Sequence, residues 1–307
     1  MSPNDQPLVT IGVLAYNRPA MLRNALNCVV RQTYGNLEII ISDDCSPDIE
    51  VARVGEEFEA ADPRVRFCRQ EVNLDAVRNH WFLLAEAKGK YFMWAYDDDL
   101  YEATLVERLV ERLEANANAI LCACDVSIID DKDQVTRVEK LSSLRGDEAW
   151  RRVRRSFFFY PTSNIYLTVL GLFRTAPMHA KGIRPELGCL GFNTSMEVPF
   201  LARVSLAGEI ISVDEALLLY RSHEDSRYIK ELARINNFNE LLINMCIRVK
   251  LVKCIVLSDI SFWERCSLLM AVIDSWLISV PYRLAATLLP TPVKEKIKAW
   301  LGLNRRT

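Results

Sequence analysis

"VTIGVLAYNRPAMLRNALNCVVRQTYGNLEIIISDDCSPD", residues 9–48, changes period twice. Residues 8–16 are a continuous apolar run of strand length. Residues 18–32 then place Leu22, Ala25, Leu26, Val29 and Val30 at helical spacing, behind a proline at 19 suited to a first helical turn. Residues 37–44 return to an apolar run. A strand that is apolar on both faces must be covered on both, so this unit predicts a parallel sheet sandwiched by helices.

The alternation continues outward. A polar helical stretch (48–61) leads to a strand (64–70), a helix from about 74 to 88 and a strand at 90–96. A helix follows at 104–116, with Thr104 and Glu107 spaced as a capping box, and then a strand at 119–130. Residues 131–225 are less regular, and from about 229 the chain reads as helical to its end. The expected class is α/β, with a mainly parallel central sheet flanked by helices and a C-terminal helical extension.

The chain has 307 residues, half of them hydrophobic, and a formal net charge of −2. That suits a large core and supplies no field to attract nucleic acid, so no nucleic-acid partner is expected. The nine cysteines are odd in number and scattered, and Cys122 and Cys124 lack the second ligand pair of a zinc site, so reduced thiols are expected. The N-terminal residues carry no basic region and do not read as a signal peptide. The most apolar stretch, 266–280, is broken by Asp274 and is too short to span a bilayer.

In an open parallel sheet, ligands bind beyond the carboxyl ends of the strands. Here those ends are Ala15-Tyr16-Asn17, Ser42-Asp43-Asp44 and, after "MWAY" (93–96), the triplet Asp97-Asp98-Asp99. No GxGxxG and no GxxxxGK[ST] follows a strand, so a glycine cradle for phosphate is excluded. Carboxylates repel phosphate, but they hold a hard divalent cation that bridges to it, and they accept from ribose hydroxyls or a base N–H. A metal-bridged nucleoside diphosphate satisfies both uses.

Residues 9–48 with "AYDDDLY" (95–101) resemble the family 2 glycosyltransferases, which have the GT-A fold, invert configuration and use a metal bound at a DxD-type motif. The resemblance extends over 8–225. It implies a nucleotide-binding half (about 8–130) and an acceptor half (131–225) within 1–225, followed by a helical extension (226–307). It implies an enzyme that moves a sugar from a UDP- or dTDP-sugar to a glycan or lipid-linked acceptor, in cell-surface polysaccharide synthesis. Ala15 and Tyr16 would lie by the nucleoside, with Asn17, Arg18 and Asp44 lining the same site. Asp43 would accept from the base N–H. Arg69 or Arg78 would stand near the base or diphosphate, and Asn73 belongs to the same loop. Asp97 would contact the ribose, Asp98 would ligate Mn²⁺ or Mg²⁺, and Asp99 would be a further or outer ligand. The family's ENxGxxxARN appears as "EVNLDAVRN" (71–79), with Asp75 where glycine is usual.

The resemblance also implies a general base. "MEVPFLARVSLAG" (196–208) matches the family's base helix with Glu197 in place of Asp, and Val198 departs from the frequent second acid. In "YRSHEDS" (220–226), His223 is where the family's histidine can reach the metal or diphosphate. Residues 150–164 join arginines to aromatics, as a surface helix, an acceptor-side flap or a patch for lipid phosphates. The basic, aromatic tail (290–306) suits peripheral contact with the inner face of a cell membrane, from the cytoplasm, or contact with a second subunit. Two alternatives stand beside this reading: a catalytically inactive scaffold, suggested by Asp75 and Val198, and a sugar-phosphate nucleotidylyltransferase, whose glycine- and base-rich first loop is missing.

Overall fold

A computed structural model of the chain describes residues 6–141, 148–149, 151–153, 165–185, 197–222 and 237–273. Strands β1 (Val9–Ala15), β2 (Leu37–Asp43), β3 (Val65–Arg69) and β4 (Tyr91–Tyr96) run parallel in the order β3-β2-β1-β4. Their crossovers contain α1 (Pro19–Val30), α2 (Ile49–Ala61) and α3 (Ala76–Glu86). The sheet continues past β4 through β8 (Leu172–Arg174), β6 (Ala119–Ile129), β9 (Glu209–Arg221) and β5 (Leu100–Tyr101), while β7 (Val135–Glu139) pairs with β6. β8 is antiparallel to both neighbours, β6 and β9 are parallel, and β5 is antiparallel to β9. Helices α4 (Leu105–Glu114), α5 (Thr175–Ala180), α6 (Glu197–Ala207) and α7 (Asn237–Val256) complete the labelled elements, and 262–273 is also helical.

The strand–helix alternation expected up to residue 130 is present, and its cause is burial. All of β1 and β6 is buried, and so is β4 up to Ala95. Trp94, fully buried in β4, meets Phe92, Phe173 and Phe200 edge to face at centroid distances of 4.8, 5.4 and 5.8 Å. This arrangement favours aromatic quadrupoles and ties β4 to β8 and α6. Pro19 opens α1, as its position suggested.

Three expectations are corrected. Thr104 sits at the N-cap of α4 but makes no side-chain cap, so the capping box does not form. Gln32 Oε1 accepts from Val106 N–H instead, and Glu107 is taken by the Thr33 hydroxyl at 2.7 Å. Tertiary partners have displaced the local ones. Among the described residues seven cysteines are free thiols, but Cys246 is disulfide-bonded, so reduction throughout does not hold. A disulfide needs a close pair of Cα atoms, which sequence spacing cannot reveal. Finally, β5 and β7 were not expected, because neither run carries a readable period. No helix among the described residues is long and apolar enough to cross a membrane.

Candidate functional site

The polar ends of β1, β2 and β4 do meet at one rim. The Tyr16 N–H donates to Asp97 Oδ2 at 3.0 Å, the Asn17 N–H to Ser46 Oγ at 3.0 Å, and the Asp44 N–H to the Ala15 carbonyl at 3.0 Å. The rim turns are strained. The non-glycine residues with positive φ among the described residues are Asn17, Cys45, Asp75 and Asp133. The first three lie in the rim loops and the fourth pairs with Arg221, below. Such geometry survives only where surroundings enforce it.

The three aspartates divide. Asp97 and Asp98 share the Arg18 guanidinium: Nη2 lies 2.5 Å from Asp97 Oδ1, and Nη1 donates to Asp98 Oδ2. Asp99 turns toward β9, where its Oδ1 accepts from the Arg221 N–H at 2.9 Å and its buried Oδ2 accepts no hydrogen bond. Burial pushes the Asp97 carboxyl up to about 7, with Arg18 pulling it down and Asp98 pushing it further up. Burial, then Asp98, raises Asp99 well above the carboxylate range, against the Arg221 N–H. Burial opposes the charge on Arg18, yet the adjacent Asp97 and Asp98 raise its pKa overall. The repulsion within the triplet is thus relieved by an intramolecular cation and by rotating one carboxylate away.

The turn is held from behind by residues that sequence reading did not single out. The Tyr101 hydroxyl accepts from Tyr96 N–H at 2.6 Å and lies 3.0 Å from the Tyr96 carbonyl, closing the loop across the triplet. The buried Arg221 donates from Nε to the Asp98 carbonyl and from Nη1 to the Asp130 carbonyl, both at 2.9 Å, and pairs with Asp133 at 2.5 Å. A guanidinium ending the apolar run "LLLY" (217–220) was the available signal.

Asp43, fully buried, accepts through Oδ1 from the Ser46 N–H (3.0 Å) and hydroxyl (2.5 Å). Its Oδ2 accepts no hydrogen bond and lies 3.6 Å from Arg69 Nη1. Arg69 also donates to the Ser46 carbonyl at 2.9 Å. Arg78 is elsewhere, on the first turn of α3, paired with Asp75 at 2.8 Å. The structure therefore brings Arg69, not Arg78, to Asp43. Asn73 donates to the Asp44 carbonyl at 3.1 Å, and Asp44 Oδ1 accepts from Leu74 N–H at 2.6 Å, so both fasten the loop before α3 to the end of β2.

Asp75 explains its own departure from the expected glycine. Its backbone, at φ 72° and ψ 162°, lies in a region that glycine enters freely and other residues enter at a cost. The aspartate offsets that cost by capping α3, accepting from Val77 N–H at 3.0 Å and Arg78 N–H at 3.1 Å.

Glu197 opens α6, half-buried, with its charge close enough to act on the Tyr96 phenol. Burial first, then Glu197 and Asp99, hold that phenol well above its ordinary pKa. Tyr96 faces His80. Nδ1 of His80 lies 2.5 Å from the Ala76 carbonyl, which can only accept, so Nδ1 carries the hydrogen. Nε2 therefore accepts from the Tyr96 hydroxyl at 2.8 Å. Burial pulls the His80 pKa down to about 4, so the imidazole is neutral at pH 7. His223, most of 150–164 and the tail beyond 273 lie outside the described residues.

Among the described residues no three His, Cys, Asp or Glu side chains converge as a ready-made metal cage. The pair Asp97 and Asp98, closed around a guanidinium, fits a different donor set. A hard cation of the magnesium type is commonly held by one or two carboxylates, with substrate phosphates and water supplying the rest.

Comparison with known proteins agrees with this architecture. The family model "Glycosyl transferase family 2" matches residues 10–178. An uncharacterized glycosyltransferase of Haemophilus influenzae is 26% identical over 83% of this chain and 80% of its own length. Among solved structures, S. aureus TarS in complex with UDP-GlcNAc superposes with a TM-score of 0.63 at 15% identity, over 87% of this chain and 72% of that one. The mannosyltransferase PcManGT from Pyrobaculum calidifontis, in complex with GDP-Man and Mn²⁺, superposes with a TM-score of 0.57 at 14% identity, over 98% and 81%.

Proposed function

The chain belongs to glycosyl transferase family 2 and has the GT-A fold, and on that premise we propose that it is an inverting, cation-dependent transferase for a uridine- or thymidine-diphosphate sugar. The acceptor in this reading is a hydroxyl of a glycan or lipid-linked glycan, in cell-surface polysaccharide synthesis at the inner face of the membrane.

The observation that carries the donor assignment is Oδ2 of Asp43, which faces Arg69 but accepts no hydrogen bond. A buried carboxylate oxygen without a hydrogen bond is costly, and an N–H donor from a ligand relieves it. The base N–H of uracil or thymine is such a donor, and cytosine lacks it at that position. Arg69 gives way as the base enters. Asp97, Tyr16 and Asn17 line the path of the ribose, while Asp98 offers a carboxylate to Mn²⁺ or Mg²⁺, which when bound stabilises the charge on the departing diphosphate.

Glu197 is assigned as the general base. It takes the proton of the acceptor hydroxyl as that oxygen bonds to the anomeric carbon, and the bond from that carbon to the diphosphate breaks on the opposite face. The products are an inverted glycoside, a nucleoside diphosphate and a protonated Glu197.

A thermal-shift panel of UDP-, dTDP-, CDP- and GDP-sugars with and without Mn²⁺ tests this reading, because ligand binding to the native state raises the unfolding temperature. A uridine or thymidine donor should give the largest cation-dependent shift, and Asp43→Asn should abolish that preference. Turnover that persists unchanged in Glu197→Gln would place the base elsewhere.

A further inference from the structure

We infer that Arg18 is the resident counter-cation of the acidic turn, and that the divalent cation binds Asp98 by displacing the guanidinium from Asp97 and Asp98. This rests on the reading above that Asp98 holds the cation. Three observations carry it. The guanidinium contacts both carboxylates, through separate nitrogens, at the point where the two side chains converge. Both Asp97 oxygens are engaged in the free site, Oδ1 by Arg18 and Oδ2 by the Tyr16 N–H. A metal ion that binds Asp98 in this turn therefore competes with the guanidinium for the same carboxylate charge.

The third observation is how Arg18 is mounted. It is the N-cap residue of α1, on the short link from β1, with its backbone carbonyl accepting from Leu22 N–H at 2.9 Å. Its backbone is fixed while its side chain remains one-third exposed. Asp97, by contrast, is almost completely buried, and Asp98 is about half as exposed as the arginine. The acids are thus built in and the arginine can swing out. A guanidinium stays charged at any working pH and matches phosphate as well as carboxylate. Once displaced at this rim, it meets the diphosphate that accompanies the cation.

The free site therefore carries a counter-charge of its own. An open pair of carboxylates would capture cations without donor. With Arg18 in place, a cation must replace two charge-assisted hydrogen bonds, so cation alone binds weakly and cation with donor binds well.

Mn²⁺ titration of the nucleotide-free protein, followed by the electron paramagnetic resonance signal of free Mn²⁺, tests the exchange. Arg18→Gln should bind Mn²⁺ about tenfold tighter than wild type or more, the effect of removing one or two such bonds. With Mn²⁺ saturating, the same variant should bind UDP about tenfold more weakly, because the displaced guanidinium is missing. Opposite signs in the two titrations are not expected of a merely structural arginine. Arg18→Lys retains charge but loses the planar fork that places separate nitrogens on the two carboxylates, so it should fall between the two and covers the case in which Arg18→Gln does not fold. Mn²⁺ affinity unchanged or lower in Arg18→Gln, or unchanged in Arg18→Lys if only that variant folds, overturns the inference. Asp98→Asn separates the two levels. If Mn²⁺ binding is indifferent to it, the cation assignment itself fails. If binding needs Asp98 but ignores Arg18, only the exchange fails.

Discussion

Acidification should destabilise this protein through one imidazole, and the size of the loss follows from the packing of His80. In the unfolded chain His80 takes up a proton as the pH falls through its ordinary value of 6.5, but in the fold burial delays this to about 4. Between those values the unfolded state binds more protons, so stability falls as the pH falls. The two values differ by 6.5 − 4 = 2.5 units. At 1.36 kcal/mol per unit the full loss is about 3.4 kcal/mol, of which about 2.5 kcal/mol is reached by pH 4.5. That is a large part of the 5–15 kcal/mol that typically separates folded from unfolded. Carboxylates also titrate in this range, so the informative quantity is a difference. Urea unfolding, followed by tryptophan fluorescence, is measured for wild type and His80→Asn between pH 7.5 and 4.5. Asparagine can keep a donor toward the Ala76 carbonyl and cannot be protonated. The variant should be less stable at pH 7.5, because the Tyr96 hydroxyl loses its acceptor. The gap should close by about 2.5 kcal/mol on reaching pH 4.5. A gap that stays constant across the window means that His80 titrates alike in both states, and the burial argument is then wrong.

Three further changes have worked signs. Asp75→Gly relieves the backbone and forfeits the cap, so it should be at least as stable as wild type, whereas Asp75→Ala forfeits the cap alone and should lose about 1 kcal/mol; thermal unfolding of the pair decides whether strain is stored there. Gly55→Ala gains helix propensity within α2, but its methyl would lie 2.2 Å from the Phe67 ring, so a net loss of about 1–3 kcal/mol is expected in chemical denaturation, and a gain would show that the ring moves freely. Arg221→Gln removes the buried clamp on the Asp98 and Asp130 carbonyls and should cost about 2–3 kcal/mol, with faster cleavage near the acidic turn in limited proteolysis; an unchanged protease pattern would show that the turn holds itself.

Much of the site was legible because it is built from strand ends. The apolar runs at 8–16, 37–44 and 90–96 locate β1, β2 and β4, and parallel strands bring their carboxyl ends to one side. Asp43, Asp97 and Asp98 could therefore be placed together without coordinates. What stayed hidden depends on contacts that no local pattern encodes. Arg18 reaches Asp98 across 80 positions and Arg221 reaches its carbonyl across 123. Arg69 lies by Asp43 and Arg78 pairs with Asp75, a difference that sequence spacing does not carry. Thr104 misled because its capping role is filled by Gln32, a residue of another segment. β8 spans Leu172–Arg174 and β5 spans Leu100–Tyr101, and such short runs carry no period to detect.

The sheet order has a consequence for the order of assembly. β1 to β4 are contiguous in sequence and adjacent in space, so a nascent chain can pair them as soon as residue 96 has emerged. The acidic turn follows at once, but the strand that backs it, β9, ends at Arg221. During synthesis the turn therefore waits for more than a hundred residues with Arg18 available and Arg221 absent. Non-local pairings of this kind are slow to close. The last step in maturing the ligand rim is then the arrival of β9 rather than the folding of the strands that present the acids, and a chain truncated before that strand would display the carboxylates without their support.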